Sequence, residues 1–271
     1  MSSLDRIAAL AAAAEQADGA PPVDEGTWFA LRHDAPEVHW RDDRAFAVVT
    51  GRTLTLVVHP TSREQGLGNS LLTEVLALED RPGLEAWSHC DHPGAASLAA
   101  RHGFEKVREL WVMRRPTAQQ LPAVPHPEGI EIRSFRPGDE AELLRVNAAA
   151  FAKHPEQGAM DEANLAERMA EPWFDPTGLL MAVQGDRLLG FHWTKQHGPD
   201  LGEIYVIGLD PSAQGRGLGK TLSLVGLEHL TARGVAVVEL YVEADNTPAI
   251  ALYERMGFAH APADTHVMYR R

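Results

Sequence analysis

The chain has 271 residues, 44% of them hydrophobic and 23% charged, with a formal charge of −13. That length and apolar share allow two domains with real cores, and the negative charge excludes a chain that wraps a nucleic-acid backbone while suiting a cationic small substrate. No run reaches the roughly 20 apolar residues of a membrane span, and the single cysteine, Cys90, excludes an internal disulfide.

The Ala-rich start is interrupted by Asp5, Arg6 and Glu15 before any secretory core forms, so an amphipathic helix with Leu4, Ile7 and Leu10 on one face is expected, in a monomeric cytoplasmic protein. Next comes "LVVHPTSREQGLGNSLL" (56–72), an apolar run entering a glycine loop, and then "WSHCDHPGAASLAARHGFEKVRELWVMRR" (87–115). Its cluster His89-Cys90-Asp91-His92 invites a metal reading, but no further ligand stands at useful spacing, so no metal is expected. The stretch 114–129, "RRPTAQQLPAVPHPEG", has four prolines and no apolar periodicity and reads as a linker. Residues 1–115 form a first domain, 116–128 the linker and 129–271 a second domain.

In the second half "IEIRSF" (130–135) predicts a strand and "DEAELLRVNAAAFA" (139–152) a helix with an acidic first turn. Strands "LLMAVQ" (179–184) and "RLLGFHWTK" (187–195) flank Gly185-Asp186 as a hairpin. The strand "EIYVIGLD" (203–210) runs into "PSAQGRGLGKT", a helix follows, and "VAVVELYVEA" (235–244) leads to the helix "TPAIALYERMG" (247–257) and a last strand near "HVMYR". Strand and helix alternate as in an α/β fold with a mixed sheet.

The loop before the helix ends in Gly-Lys-Thr, yet a P-loop needs glycine where Gln214 stands, and a G-x-G-x-x-G fingerprint needs one at Lys220. What fits is Q-x-x-G-x-G, through Gln214, Gly217 and Gly219. A strand, a glycine turn and a helix N-terminus together make an anion seat of exposed N–H groups that needs no metal.

This loop has a double. Pro60 matches Pro211, Gly66 matches Gly217 and Gly68 matches Gly219 at a constant offset of 151, and further on Gly103-Phe104 matches Gly257-Phe258 at an offset of 154. The chain is a tandem duplication.

A Q-x-x-G-x-G loop after a strand, followed by "ALYERMGF", resembles the acetyl-CoA signature of the GNAT N-acetyltransferases. The resemblance implies two tandem GNAT domains, each a mixed, mostly antiparallel twisted sheet flanked by helices, with the coenzyme A pyrophosphate as the loop's anion. It also implies that the strand before the loop splays from its neighbour, freeing the backbone of Ile207, Gly208 and Leu209 for the pantetheine arm. The remaining acetyl-CoA contacts it implies are Gln214, Gly215, Arg216, Gly217, Leu218, Gly219, Lys220, Asn246 and Ala249, with Val57, Val58, Arg63, Gly66 and Gly68 in the first half.

The stretches "LLRVNAAAFAKHPEQG" (143–158), "WFDPTGLL" (173–180), "GFHWTKQH" (190–197), "GEIYVIGLDPSAQGRGLG" (202–219) and "LYVEADN" (240–246) are similar to the tandem GNAT family of mycothiol synthases. That family acetylates the cysteinyl amine of cysteine–glucosamine–inositol, desacetylmycothiol, with acetyl-CoA. For the acceptor the resemblance nominates Glu25, Glu156, Lys195, Glu203 and Tyr241, with Asp24 as the alternative to Glu25 and an aromatic expected near Met160. Carboxylates, an ammonium and a phenol suit a polyhydroxylated amine.

Acetyl transfer to an amine needs a neutral amine and a proton for the departing thiolate. Alternation puts Glu203, Tyr205 and Ile207 on one strand face, with Glu203 the candidate base. Tyr253 stands where GNAT enzymes commonly place a tyrosine near the coenzyme A sulfur, making it the candidate acid. The duplication supplies a comparison: the counterparts of Glu203 and Tyr253 are Arg52 and Ala99, and Glu64-Gln65 replace Gly215-Arg216. The first domain is therefore expected to be catalytically silent, with a carboxylate weakening its anion seat. Two other readings stand beside mycothiol synthesis: a tandem GNAT for an aminoglycoside or protein N-terminus, and a non-catalytic acyl-CoA sensor, against which the Glu203–Tyr253 pair argues.

Overall fold

The computed structural model describes residues 2–78, 82–152 and 157–271. These fall into two compact units, the first made of 1–112, 243–245 and 261–271, the second of 113–242 and 246–260.

The first unit contains α1 (Ser3–Asp18), α2 (Glu25–His33), β1 (Val38–Arg41), β2 (Ala45–Thr50), β3 (Thr53–Val58), α3 (Leu67–Leu78), β4 (Glu85–Ser88), α4 (Pro93–Arg101) and most of β5 (Glu105–Pro116). A capping box opens α1, with Asp5 N–H donating to Ser2 Oγ and Ser2 N–H to Asp5 Oδ2. Its buried stripe is Ile7, Leu10, Ala11 and Ala14, whereas Leu4 is 37% exposed. The buried stripe thus keeps Ile7 and Leu10, extends one turn further to Ala14, and leaves Leu4 outside the core cluster.

Strands β1, β2 and β3 pair antiparallel, and β3 runs parallel to β4. Alternation along β2 sends Phe46 and Val48 toward α1 and α2, and Ala45 and Ala47 toward α3 and α4.

The second unit contains β6 (Glu131–Ser134), α5 (Glu140–Ala150), α6 (Glu162–Ala170), β7 (Leu179–Gln184), β8 (Arg187–Gln196), β9 (Leu201–Leu209), α7 (Leu218–Ala232), β10 (Val237–Glu243, its last residue grouped with the first unit) and α8 (Thr247–Arg255), with the start of β11 (Ala259–Arg270). Strands β6 to β9 are antiparallel neighbours and β10 is parallel to β9. Leu179, Met181 and Val183 of β7 face the α5/α6 layer, and Leu180 and Ala182 face α7. Both units are mixed, mostly antiparallel sheets between helical layers.

The expected cut at 115/129 differs from these units at the strands. Residues 113–116 of β5 cluster with the second unit, and 261–271 cluster with the first. The cause is pairing: β11 runs antiparallel to β4 with Val267 opposite Ser88, and buries Val267 and Met268 to 0% and 1% exposure.

Candidate active site

The second unit carries most of the residues singled out in the sequence along β9, on the strands beside it and in the loop that follows it. The loop after β9 is built by Asp210, whose carboxylate accepts from Ser212 N–H and Oγ, from Arg145 at 2.7 Å and from Arg187 at 3.2 Å. The Ser212 hydroxyl and these guanidinium groups hold its carboxyl far below the usual range, so it is a fixed anion bracing the loop. Gly217 is the N-cap of α7 with φ +76°, and a Cβ added there would meet nothing within 4 Å. The first N–H groups of α7 lack intrahelical acceptors, and Gln214 through Gly217 and Lys220 are exposed beside them. Leu218, the first residue of α7, is buried.

Upstream, the parallel ladder between β9 and β10 runs from Leu201/Val237 only to Ile204/Leu240. Beyond it the two strands part, so Ile207, Gly208 and Leu209 have no partner on β10 in that ladder. The expected splay is present.

Strand β9 also carries a bulge: Trp193 of β8 pairs with Val206 and Thr194 with Ile204, leaving Tyr205 as the extra residue. Tyr205 and Val206 consequently both pack toward the α5/α6 layer. A Cβ on Gly208 would meet Phe191 of that same layer, so Ile207, between Val206 and Gly208, turns to the α7 side. The expectation that Glu203, Tyr205 and Ile207 share a face is corrected for Ile207, because the extra residue inverts the alternation.

Glu203 is 6% exposed and lies opposite Lys195 of β8 and Glu239 of β10. His197, on the β8–β9 connection, donates from Nε2 to Glu203 Oε2 at 2.6 Å. Glu239, itself 5% exposed, accepts from Arg114 Nε at 3.0 Å. Burial holds the Glu239 carboxyl above its ordinary value, against the pull of Arg114 and with the Glu203 charge adding to the effect. Lys195 Nζ lies 4.4 Å from the Trp173 ring centroid and 4.9 Å from that of Tyr205. Tyr205 accepts at its hydroxyl from Arg168 Nη1 at 3.0 Å. Tyr241, two residues past Glu239, is 40% exposed.

On α8, Asn246 is the N-cap, its side chain accepting from Ala249 N–H at 3.3 Å. Tyr253 packs edge-on against Phe258, and burial pushes its phenol up to about 12. It therefore carries its proton throughout the neutral range.

Of the other expected acceptor residues, Glu156 lies outside the described residues. Glu25 is exposed at the start of α2 in the first unit, whereas Asp24 is the cap of that helix, both its oxygens accepting from Thr27. Met160 is 7% exposed and part of the α5/α6 core, so its side chain is packing rather than pocket wall. His197 and Glu239 were not singled out in the sequence. The signal was there in part, since a glutamate inside a strand needs a partner, and antiparallel pairing through a short connection brings His197 back beside Glu203.

The first unit holds a cavity of about 850 Å³ lined by Val57, Val58, Arg63, Gly66 and Gly68. Gly66 has φ +80°, matching Gly217. Glu64 has φ +62°, a left-handed conformation that Gly215 adopts at φ +75° without side-chain strain. Arg63 is bound by both oxygens of Asp18, at 2.6 and 2.7 Å, and lies 3.2 Å from His92 Nε2. Arg52 donates to the Gly83 carbonyl, and Ala99 is buried. Among the described residues no group of three His, Cys, Asp or Glu could hold a metal ion. His89 pairs with His266 Nδ1 at 3.0 Å, and His92 Nδ1 accepts from Gly94 N–H as the cap of α4. No helix among the described residues is long and apolar enough to cross a membrane.

Comparison with known proteins bears on this arrangement. The acetyltransferase (GNAT) family model matches residues 145–258. A mycothiol acetyltransferase from Nocardioides sp. is 58% identical over 99% of this chain and 97% of that protein. A mycothiol acetyltransferase from Catenulispora acidiphila is 47% identical over 97% and 94%. Among solved structures, a GCN5-related N-acetyltransferase from Sphaerobacter thermophilus has a TM-score of 0.73 at 26% identity, covering 98% of this chain and 91% of that one. A tandem GNAT protein from the clavulanic acid biosynthesis pathway shares the fold, with a TM-score of 0.71 at 21% identity and coverage of 99% and 94%.

Proposed function

This chain belongs to the GNAT acetyltransferases and, within them, to the mycothiol acetyltransferase family; from that membership we propose that it transfers acetyl from acetyl-CoA to the cysteinyl amine of cysteine–glucosamine–inositol. The observation that carries the catalytic reading is the position of Glu203. It stands at the third of the four pairs of the β9–β10 ladder, just before the stretch of β9 through Ile207 to Leu209 that pairs with β8 but has no partner on β10.

Acetyl-CoA supplies a thioester acetyl group. The N–H groups from Gly215 to Lys220 and the positive end of α7 bind its pyrophosphate beside the Gln214 side chain, Gly217 admitting the phosphate because it presents no side chain. The splayed backbone of β9 receives the pantetheine arm, with Asn246 and the packing surface of Ala249 on the opposite side. Since the Ala249 amide is bonded to Asn246, Ala249 contributes shape and not a donor.

Glu203 takes a proton from the acceptor's ammonium, leaving the nitrogen lone pair free to attack the acetyl carbon. Tyr253, neutral because burial holds its phenol to about 12, protonates the thiolate as the carbon–sulfur bond breaks. Lys195 and Tyr241 hold sugar and inositol hydroxyls from the second unit's side. Burial of Met160 leaves the inositol wall to residues other than an aromatic at that position.

The first unit is a silent copy. Arg52 and Ala99 stand where the second unit has its two proton-transfer groups, and the ion pair of Arg63 with Asp18 must open or share its charge before Arg63 can meet a phosphate.

The test is to incubate the purified protein with acetyl-CoA and separately with cysteine–glucosamine–inositol, free cysteine, kanamycin and a peptide amine, following coenzyme A release. Much higher kcat/KM for the first is expected, because hydroxyl-binding groups are left unpaired by the others. Equal turnover of any of those three removes the mycothiol assignment.

A further inference from the structure

Glu203 has charged neighbours in the second unit on both adjoining strands and on the connection that precedes it. His197 reaches Oε2 from the β8–β9 connection, Glu239 stands in register on β10, and Arg114 of β5 binds Glu239. Lys195 is opposite Glu203 on β8 but leans over Trp173 and Tyr205. Arg168 of α6 is tied to the Tyr205 hydroxyl. Two carboxylates, each at most 6% exposed, on adjacent parallel strands repel one another. Such a pair survives in a fold only if cations and donors hold it, and here each carboxylate has its own: His197 for one, Arg114 for the other.

We propose that His197 and Glu239 are positioning residues for the amine-deprotonating step: His197 fixes Glu203 by Oε2 and leaves Oε1 for the acceptor, while Glu239, held by Arg114, is the second carboxylate the ammonium meets. The proposal rests on Glu203 being the base. In the step itself Oε1 takes one proton from the ammonium and the nitrogen keeps the electron pair. Acetyl transfer as a whole then releases one proton to solvent, to which His197, its side chain 35% exposed, opens.

The two neighbours act on Glu203 with opposite sign. A donor to Oε2 favours the carboxylate form, whereas a second negative charge beside it favours the protonated form. A role in folding alone has no such signature.

The experiment is the pH profile of kcat at saturating acceptor for the full chain and four variants. The free acceptor's amine titrates identically in all of them. His197→Leu moves the acid limb up by about one pH unit, the size expected for loss of one charge-assisted hydrogen bond. His197→Gln, which keeps an N–H donor, returns it close to the parent. Glu239→Gln moves the limb down and raises the acceptor KM several-fold, leaving the acetyl-CoA KM unchanged. If both neighbour variants shift the limb the same way, or leave it in place, or if His197→Gln is no better than His197→Leu, the proposal is overturned. The fourth variant, Glu203→Gln, separates the two levels. Displacement of the acid limb in it to higher pH, where the amine itself loses its proton, with no movement in the others overturns this inference alone, while an unchanged limb in it overturns the base assignment and the inference together.

Discussion

Replacing Gly217 with leucine tests the anion seat against a built-in control. At φ +76° a non-glycine residue is strained by about 1–2 kcal/mol, which in a chain of this size lowers Tm by a few degrees. A Cβ there meets nothing within 4 Å, so no packing is disturbed. What the side chain does block is the approach of a phosphate to the first amides of α7. Losing two charge-assisted hydrogen bonds of about 1.5–3 kcal/mol each predicts a rise of roughly 10²- to 10⁴-fold in the acetyl-CoA Kd. Gly66→Leu carries the same strain, at φ +80° with equally open surroundings, in the silent unit. Calorimetric titration of acetyl-CoA, steady-state turnover and a thermal melt on both variants make the comparison. Equal melting shifts with turnover lost only in Gly217→Leu are expected. Unimpaired turnover in Gly217→Leu, or loss in Gly66→Leu, refutes the assignment of the donor site to the second unit.

Glu203→Gln keeps the side-chain shape and removes the base, so kcat is expected to fall roughly 10²- to 10⁴-fold and to recover in part at high pH, where the amine is already neutral; a change in acceptor KM alone makes Glu203 a binding residue. Tyr253→Phe keeps the contact with Phe258 and is expected to lower kcat while barely changing acetyl-CoA binding, which a tenfold weaker Kd contradicts. Burial lowers His89 and His192 to about 4. The unfolded chain binds those protons from about pH 6.5 downward and the folded chain does not, so stability is full above that pH and falls toward pH 4. Urea midpoints at several pH values should show this slope, shallower in His89→Asn; an equal slope in that variant contradicts the assignment.

Much of the second unit was legible because each element had a local cause. β7 follows its apolar run to the residue, α5 begins one residue inside its acidic first turn, and the glycines of the loop mark the start of α7. The bulge at Tyr205 was not legible, since nothing in "EIYVIGLD" distinguishes it from regular alternation; the register against β8 decides it. The exchange of 261–271 was hidden for a similar reason, because strand pairing with β4 is a contact across more than 170 residues of chain. In the site, motifs gave Glu203, Tyr253 and the loop, which lie next to recognisable spacing. His197 and Glu239 acquire meaning only when three strands are brought side by side, and Asp18 only when α1 lies against the first glycine loop.

Transfer of acetyl to the amine of one particular acceptor is read from the product itself. Cysteine–glucosamine–inositol and acetyl-CoA are incubated with the full chain, and the product is analysed by mass spectrometry, thiol titration and NMR. A gain of one acetyl group, a thiol that still reacts, and an amide proton coupled to the cysteinyl α-carbon hydrogen are expected. A product acetylated on sulfur or on a hydroxyl, or no product while another amine in the panel is acetylated, contradicts it.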